Sequence, residues 1–136
     1  MIVVERPIKF QDVDAARIVF FGRYLDFAHE AMEDFFSALE GGYGRLITER
    51  GLGLPAVAVA MKFSRPSRFG DTLLIETSTA RLGGRSAALR YVMRDKATGL
   101  LVCEVEHTVV LSDLAAMRSA DMPADVRAQL AAHLAT

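Results

Sequence analysis

Two carboxylates stand two positions apart, Asp12 and Asp14, in the stretch Phe10-Gln-Asp-Val-Asp-Ala-Ala-Arg-Ile-Val-Phe-Phe-Gly-Arg-Tyr24. They close a strand-like run, and a long, mostly apolar segment of helical periodicity follows. A carboxylate near a helix N-terminus is half of an active site for carbonyl chemistry. The acid serves as base or nucleophile, and the free N–H groups of the first turn hold a developing oxyanion. Aspartate is also a favoured turn and cap residue. From the residues alone, both readings stay open.

Other chemistry is sparse. No His, Cys or Asp cluster has metal-ligand spacing, no Gly-x-Ser-x-Gly elbow exists, and no phosphate-binding glycine loop occurs. Cys103 is the single cysteine. It lies in an apolar alternating run without a basic partner, so it reads as a buried structural thiol. His107 lies on an apolar strand face and reads as a buried structural histidine.

The elements that position the acids follow from periodicity. Residues 2–10 read as a strand, with Pro7 at an edge or irregular position, and residues 11–21 as a loop. Residues 22–39 read as a helix, with Tyr24, Leu25, Phe27, Ala28, Ala31, Met32, Phe35, Phe36 and Leu39 on a wide apolar face. The width predicts burial along most of its length. Gly41-Gly42 stops it, and residues 43–50 form a short second helix. Segments 56–64, 72–81, 85–95 and 100–111 alternate with period 2, so each reads as a strand covered on one side. Turn-like links at 68–71, 82–85 and 96–99 predict a four-stranded antiparallel meander. Residues 123–134 close the chain as an amphipathic helix. The outcome is an α+β fold, an antiparallel sheet wrapped around one long central helix.

The chain length of 136 residues fits a single domain, residues 1–136, with a substantial core. A net charge of −1 gives no general argument for nucleic acid or membrane binding. No apolar run reaches the roughly 18 residues of a transmembrane helix. The N-terminal residues lack a basic region followed by an apolar core, so no signal peptide is expected. One cysteine permits no intrachain disulfide and fits a cytoplasmic setting.

The element order and the motif inside it resemble the hotdog-fold acyl-CoA thioesterases, nearest the 4-hydroxybenzoyl-CoA thioesterase family. The family's D-x-D-x-x-G-[IV]-V-[FWY] stretch is matched by Asp12-Val-Asp14-Ala-Ala-Arg17-Ile18-Val19-Phe20. A second family segment is matched, less specifically, by Gly70-Asp71-Thr-Leu-Leu-Ile75-Glu-Thr77. The resemblance implies a hotdog fold and hydrolysis of an acyl-CoA, with an aromatic acyl group such as 4-hydroxybenzoyl favoured. It implies Asp14 as the catalytic carboxylate and the backbone at Phe21 and Gly22 as the oxyanion site. Asp12 is the accompanying acid of the motif, expected to order the loop beside substrate. His29 falls where relatives line the acyl pocket, Arg85 and Ser86 fall where relatives contact CoA, and Arg81 stands at a strand end beside them as a basic group expected to hold CoA. Arg65 and Arg68 add to a basic rim. The resemblance further implies no cofactor beyond the CoA of the substrate, and a homodimer or homotetramer with CoA across the subunit interface. An open sheet edge favours such pairing on physical grounds too. Arg17 stands where the family has glycine, so a left-handed backbone there would be strained or the loop re-shaped.

Two other readings compete. A hotdog hydratase or dehydratase would use His29 with Glu30, and a non-catalytic acyl-CoA-binding module is suggested by Arg17 and the unusual helix start at Gly22-Arg23.

Overall fold

The computed structural model describes residues 1–135. The chain runs β1 (Ile2–Pro7), α1 (Arg23–Phe35), α2 (Gly42–Thr48), β2 (Leu52–Gly53) and β3 (Ala56–Phe63). It continues through β4 (Thr72–Leu82), β5 (Ser86–Asp95), β6 (Leu101–Val110), β7 (Ser112–Asp113), β8 (Arg118–Ser119) and α3 (Ala124–Ala132). The main sheet is antiparallel and five-stranded, in the order β1-β4-β5-β6-β3. This is the α+β architecture expected from the periodicity, with α1 laid across the inner face.

Two features of the strand pattern depart from expectation. Strands β4, β5 and β6 form a meander, but β3 pairs with β6 and not with its sequence neighbour β4. The link between β3 and β4 is not a hairpin turn. It crosses the end of the sheet and bonds what lies there: Ser64 N–H donates to Val102 O, Val19 N–H to Ser67 O, and Ile8 N–H to Asp71 O. The Phe10–Phe20 loop is thereby tied to the sheet end.

Strand β3 is also not covered. Its inward positions Val59 and Phe63 stand across from His107 and Cys103 of β6 yet are exposed, with only Met61 between them half-buried; Val57, at a bulge in the pairing, is exposed as well. Alternation reports only which side chains share a face; it does not report whether anything lies over that face. Helix α1 packs over the rest of the sheet and leaves β3 overhanging.

Helix α1 buries one stripe, Tyr24, Phe27, Ala28, Ala31, Met32 and Phe35. Its other face, including Leu25, Asp26, His29, Glu30 and Glu33, is exposed. The apolar width read from the sequence therefore overstated its burial. The helix stops at Phe35 because a 3-10 turn at Phe36–Ala38 tightens the chain. Gln129 Nε2 of α3 then donates to Phe35 O at 2.7 Å, satisfying one carbonyl at the helix end. Phe27, Phe35, Leu73, Ile75, Leu89 and Met93 are sealed between helix and sheet. Each such side chain contributes about 1.5–3 kcal/mol of transfer free energy. Cys103 is fully buried, and burial, aided by Glu104, pushes its thiol up to about 11.

Candidate active site at the start of the long helix

Asp12 and Asp14 have opposite environments. Asp12 is buried, at 1% exposure. Its carboxylate accepts from Arg6 Nη1 at 2.8 Å and from Lys9 N–H at 2.8 Å. Arg23 Nε lies 3.9 Å from its other oxygen. Burial alone would raise its pKa, but the Lys9 N–H and the Arg6 guanidinium outweigh that and hold it below the ordinary value. The backbone of Asp12 also holds the loop, since its carbonyl accepts Phe20 N–H at 3.1 Å. Held by these partners and sealed from solvent, the carboxylate is closed off from a substrate. Asp12 orders the loop.

Arg6 is the residue that sequence reading missed. It sits on the inward register of β1 after Ile2 and Val4, where an apolar side chain is the usual choice. Its guanidinium stacks over the Phe27 ring at 4.4 Å and also meets Glu30 at 3.2 Å. A cation at an inward position was the available signal that an anion waits inside.

Asp14 is exposed. One oxygen accepts Ala16 N–H at 2.8 Å, the local turn that aspartate favours. The other has no partner among the described residues. The turn closes with Arg17 N–H to Asp14 O and Asp14 N–H to Ile18 O. Arg17 adopts φ +66, so the loop keeps the left-handed position and a non-glycine residue bears the strain.

The chain then enters α1 through Gly22. The N–H groups of Arg23, Tyr24 and Leu25 bond back to Phe20, Phe21 and Gly22. The amides of Phe21 and Gly22 donate to no group among the described residues. They are free donors at the positive end of the helix. Beside them opens a hollow of about 320 Å³, lined among others by Ile18, Phe21, Tyr24, Phe63 and Arg65.

The other expected site residues do not gather here within one chain. His29 lies seven residues further along α1, with its ring 3.9 Å from Glu33. It lines a second hollow with Leu25, Ala28, Val59, Val105 and His107. Arg81, Arg85 and Ser86 sit at the β4–β5 turn, at the far end of a strand eleven residues long, roughly 30 Å from the aspartate loop. Arg81 bonds Ser86 Oγ at 3.3 Å, and Arg85 pairs with Asp121 at 2.9 Å. Glu30, paired with Arg6, points toward β1, while His29 faces β3 and β6. The two do not converge on one substrate.

The comparisons with known proteins bear on this geometry. A 1,4-dihydroxy-2-naphthoyl-CoA hydrolase of Nostoc punctiforme is 33% identical over 86 residues, covering 63% of this chain and 58% of that protein. The aligned stretch is thus less than two thirds of that relative's own length. A solved thioesterase-superfamily protein from Jannaschia has a TM-score of 0.90 at 26% identity, covering 99% of this chain and 94% of the other. A solved gentisyl-coenzyme A thioesterase has a TM-score of 0.82 at 29% identity, covering 95% and 98%. The family model described as the thioesterase-like superfamily matches residues 8–130. That span holds the aspartate loop, the helix and the whole meander, and the chain belongs to the thioesterase-like superfamily.

Proposed function

We propose that the protein hydrolyses acyl-CoA thioesters to free acid and CoA, with an aromatic acyl group favoured and 4-hydroxybenzoyl among the candidates. The observation that carries this reading is the pairing of one exposed carboxylate, Asp14, with two free amides, at Phe21 and Gly22, on one short loop. The named activities of the naphthoyl and gentisyl relatives support it.

A thioester expels a stable thiolate, so the site needs little acid catalysis. It needs an attacking oxygen and a polarised carbonyl. The thioester oxygen would sit on the Phe21 and Gly22 amides as charge develops. Asp14 either takes a proton from water or attacks directly to give a mixed anhydride that water then opens. Both routes use the same residues.

The overhanging β3 edge supports a homodimer. Antiparallel pairing of β3 with its copy would cover Val57, Val59 and Phe63. Ala56 of β3 aligns through Val109 with Ala87 of β5, whereas Phe63 lies at the aspartate end. Reversal of the partner strand therefore carries the partner's β4–β5 turn toward Asp14. This supports a CoA site built from Arg81, Arg85 and Ser86 of one copy and the aspartate loop of the other. The single buried cysteine supports a cytoplasmic setting.

The test is thiol release from benzoyl-, 4-hydroxybenzoyl-, phenylacetyl- and short aliphatic-CoA. Asp14→Asn should lower kcat by at least 100-fold, of the order seen when a catalytic group is lost. Full activity in that variant would remove Asp14 from the reaction. Tight binding without hydrolysis across the panel would make the protein a binding module.

A further inference from the structure

His107 is not the sealed core histidine that its strand position suggests. Its Nδ1 lies 3.2 Å from Tyr91 Oη, and the two rings stack at 6.1 Å. Tyr91 is fully buried, and His107 Nδ1 is its one hydrogen-bond partner among the described residues. A buried phenol must place its proton. Burial raises the Tyr91 pKa strongly, with Tyr43 adding to it, so that proton stays on the oxygen. Tyr91 therefore donates and Nδ1 accepts, which puts the imidazole hydrogen on Nε2. Burial, and then His29, lower the His107 pKa, which favours the neutral ring that this hydrogen bond requires.

The second nitrogen has no partner among the described residues. The ring lines a hollow of about 120 Å³ whose other walls are Leu25, Ala28, Val59, Val105 and His29. One fixed donor thus stands on an apolar wall, with a second imidazole across from it. This hollow and the one at the helix start lie along the same seam between α1 and β3. Phe63 and Tyr24 mark one end, with rings 5.7 Å apart, and Val59 and His29 mark the other. From Gly22 to His29 the helix advances roughly 10 Å, which accommodates one aromatic ring plus a hydrogen bond.

We propose that the Tyr91–His107 pair is a specificity device that reads a hydroxyl on the distal edge of an aromatic acyl group. This rests on the acyl-CoA reading of the same seam. Tyr91 is a positioning residue and never meets the substrate. His107 Nε2–H donates to the substrate oxygen, and the hydroxyl proton is left for the His29 side.

Binding is measured by calorimetry on Asp14→Asn protein with 4-hydroxybenzoyl-CoA and benzoyl-CoA, which differ by that oxygen. The hydroxylated thioester should bind about tenfold tighter, the worth of one well-placed hydrogen bond. In the Asp14→Asn/His107→Phe protein the two should bind within about twofold of each other. His107→Gln, which restores a donor, should recover part of the preference. Tyr91→Phe, which frees the tautomer, should weaken it and guards against a His107→Phe protein that fails to fold. An unchanged preference in His107→Phe, or none in the parent, overturns the proposal. Turnover by otherwise wild-type protein separates the two readings. Hydrolysis without hydroxyl preference overturns this inference alone; preference without hydrolysis overturns only the hydrolase reading. Binding of neither thioester overturns both.

Discussion

Replacing Asp12 with alanine separates a carboxylate that holds the loop from one that does chemistry. The substitution leaves the Arg6 guanidinium, on a side chain only 14% exposed, facing an empty site, and leaves Lys9 N–H unpaired. Breaking one half of a buried ion pair costs about 3–5 kcal/mol. Arg6 retains Glu30 and the Phe27 ring, so the lower end applies, about 3 kcal/mol. A 136-residue protein unfolds with an entropy of roughly 0.3 kcal/mol/K, so Tm should fall by about 10 °C. The pH dependence has a defined sign. The folded Asp12 pKa is depressed, because the Lys9 and Arg6 bonds outweigh burial. Its contribution is therefore complete above the unfolded value of about 4 and is lost as pH falls through the folded one. Urea unfolding followed by circular dichroism at pH 7, 5 and 3 reads both effects. The gap between wild type and Asp12→Ala should be widest at pH 7 and shrink at pH 3. A loss under about 1 kcal/mol at pH 7, or a gap that does not narrow in acid, would refute the reasoning. Asp14→Asn is the contrast. Its side chain is exposed and asparagine keeps an acceptor for Ala16 N–H, so Tm should stay within about 2 °C while turnover collapses.

Three further outcomes are expected. Arg17 holds φ +66, a conformation costing a non-glycine residue about 1–2 kcal/mol. Arg17→Gly should therefore raise stability by about 0.5–1 kcal/mol after the backbone entropy of glycine is counted, whereas β-branched Arg17→Val should lower it; chemical denaturation measures both. The Cys103 thiol, raised to about 11 by burial and by Glu104, should resist a disulfide reagent at pH 8 in native protein and react at once in urea. A reaction rate equal to that of free cysteine in native protein would contradict its placement. Val57→Lys puts a charge on the exposed β3 edge; if β3 pairs with its copy as proposed, the variant should run as a monomer in light scattering where the wild type runs as a dimer, with loss of CoA affinity. A wild-type protein that is monomeric at tens of micromolar would remove the shared site.

Much of the fold was legible because periodicity is local. Inward residues of β4, β5 and β6, such as Ile75, Leu89 and Val105, alternate strictly, and they are buried. The crossing of β3 to β6 was not legible. The link at 64–71 carries turn residues whether it closes a hairpin or spans a sheet end. What distinguishes the cases is where its backbone hydrogen bonds go, and those partners, Val102 and Val19, are distant in sequence. Arg6 is a mixed case: Pro7 and Asp12 are near it in the chain, but the Phe27 ring and Glu30 that hold its guanidinium inward come from α1.

By itself the sequence determined the element types, their faces and the loop that carries the aspartates, because each depends on neighbours within about ten positions. The spacing of Asp12 and Asp14 was written there, but their difference was not. Only the tertiary structure decided that Asp12 is buried, with Arg6 held inward over it by Phe27 and Glu30 of α1, while Asp14 stays open. Only it turned His107 from a core position into the wall of a hollow. Both outcomes depend on what packs across from a residue, and burial is a property of the assembled layers, not of the local chain.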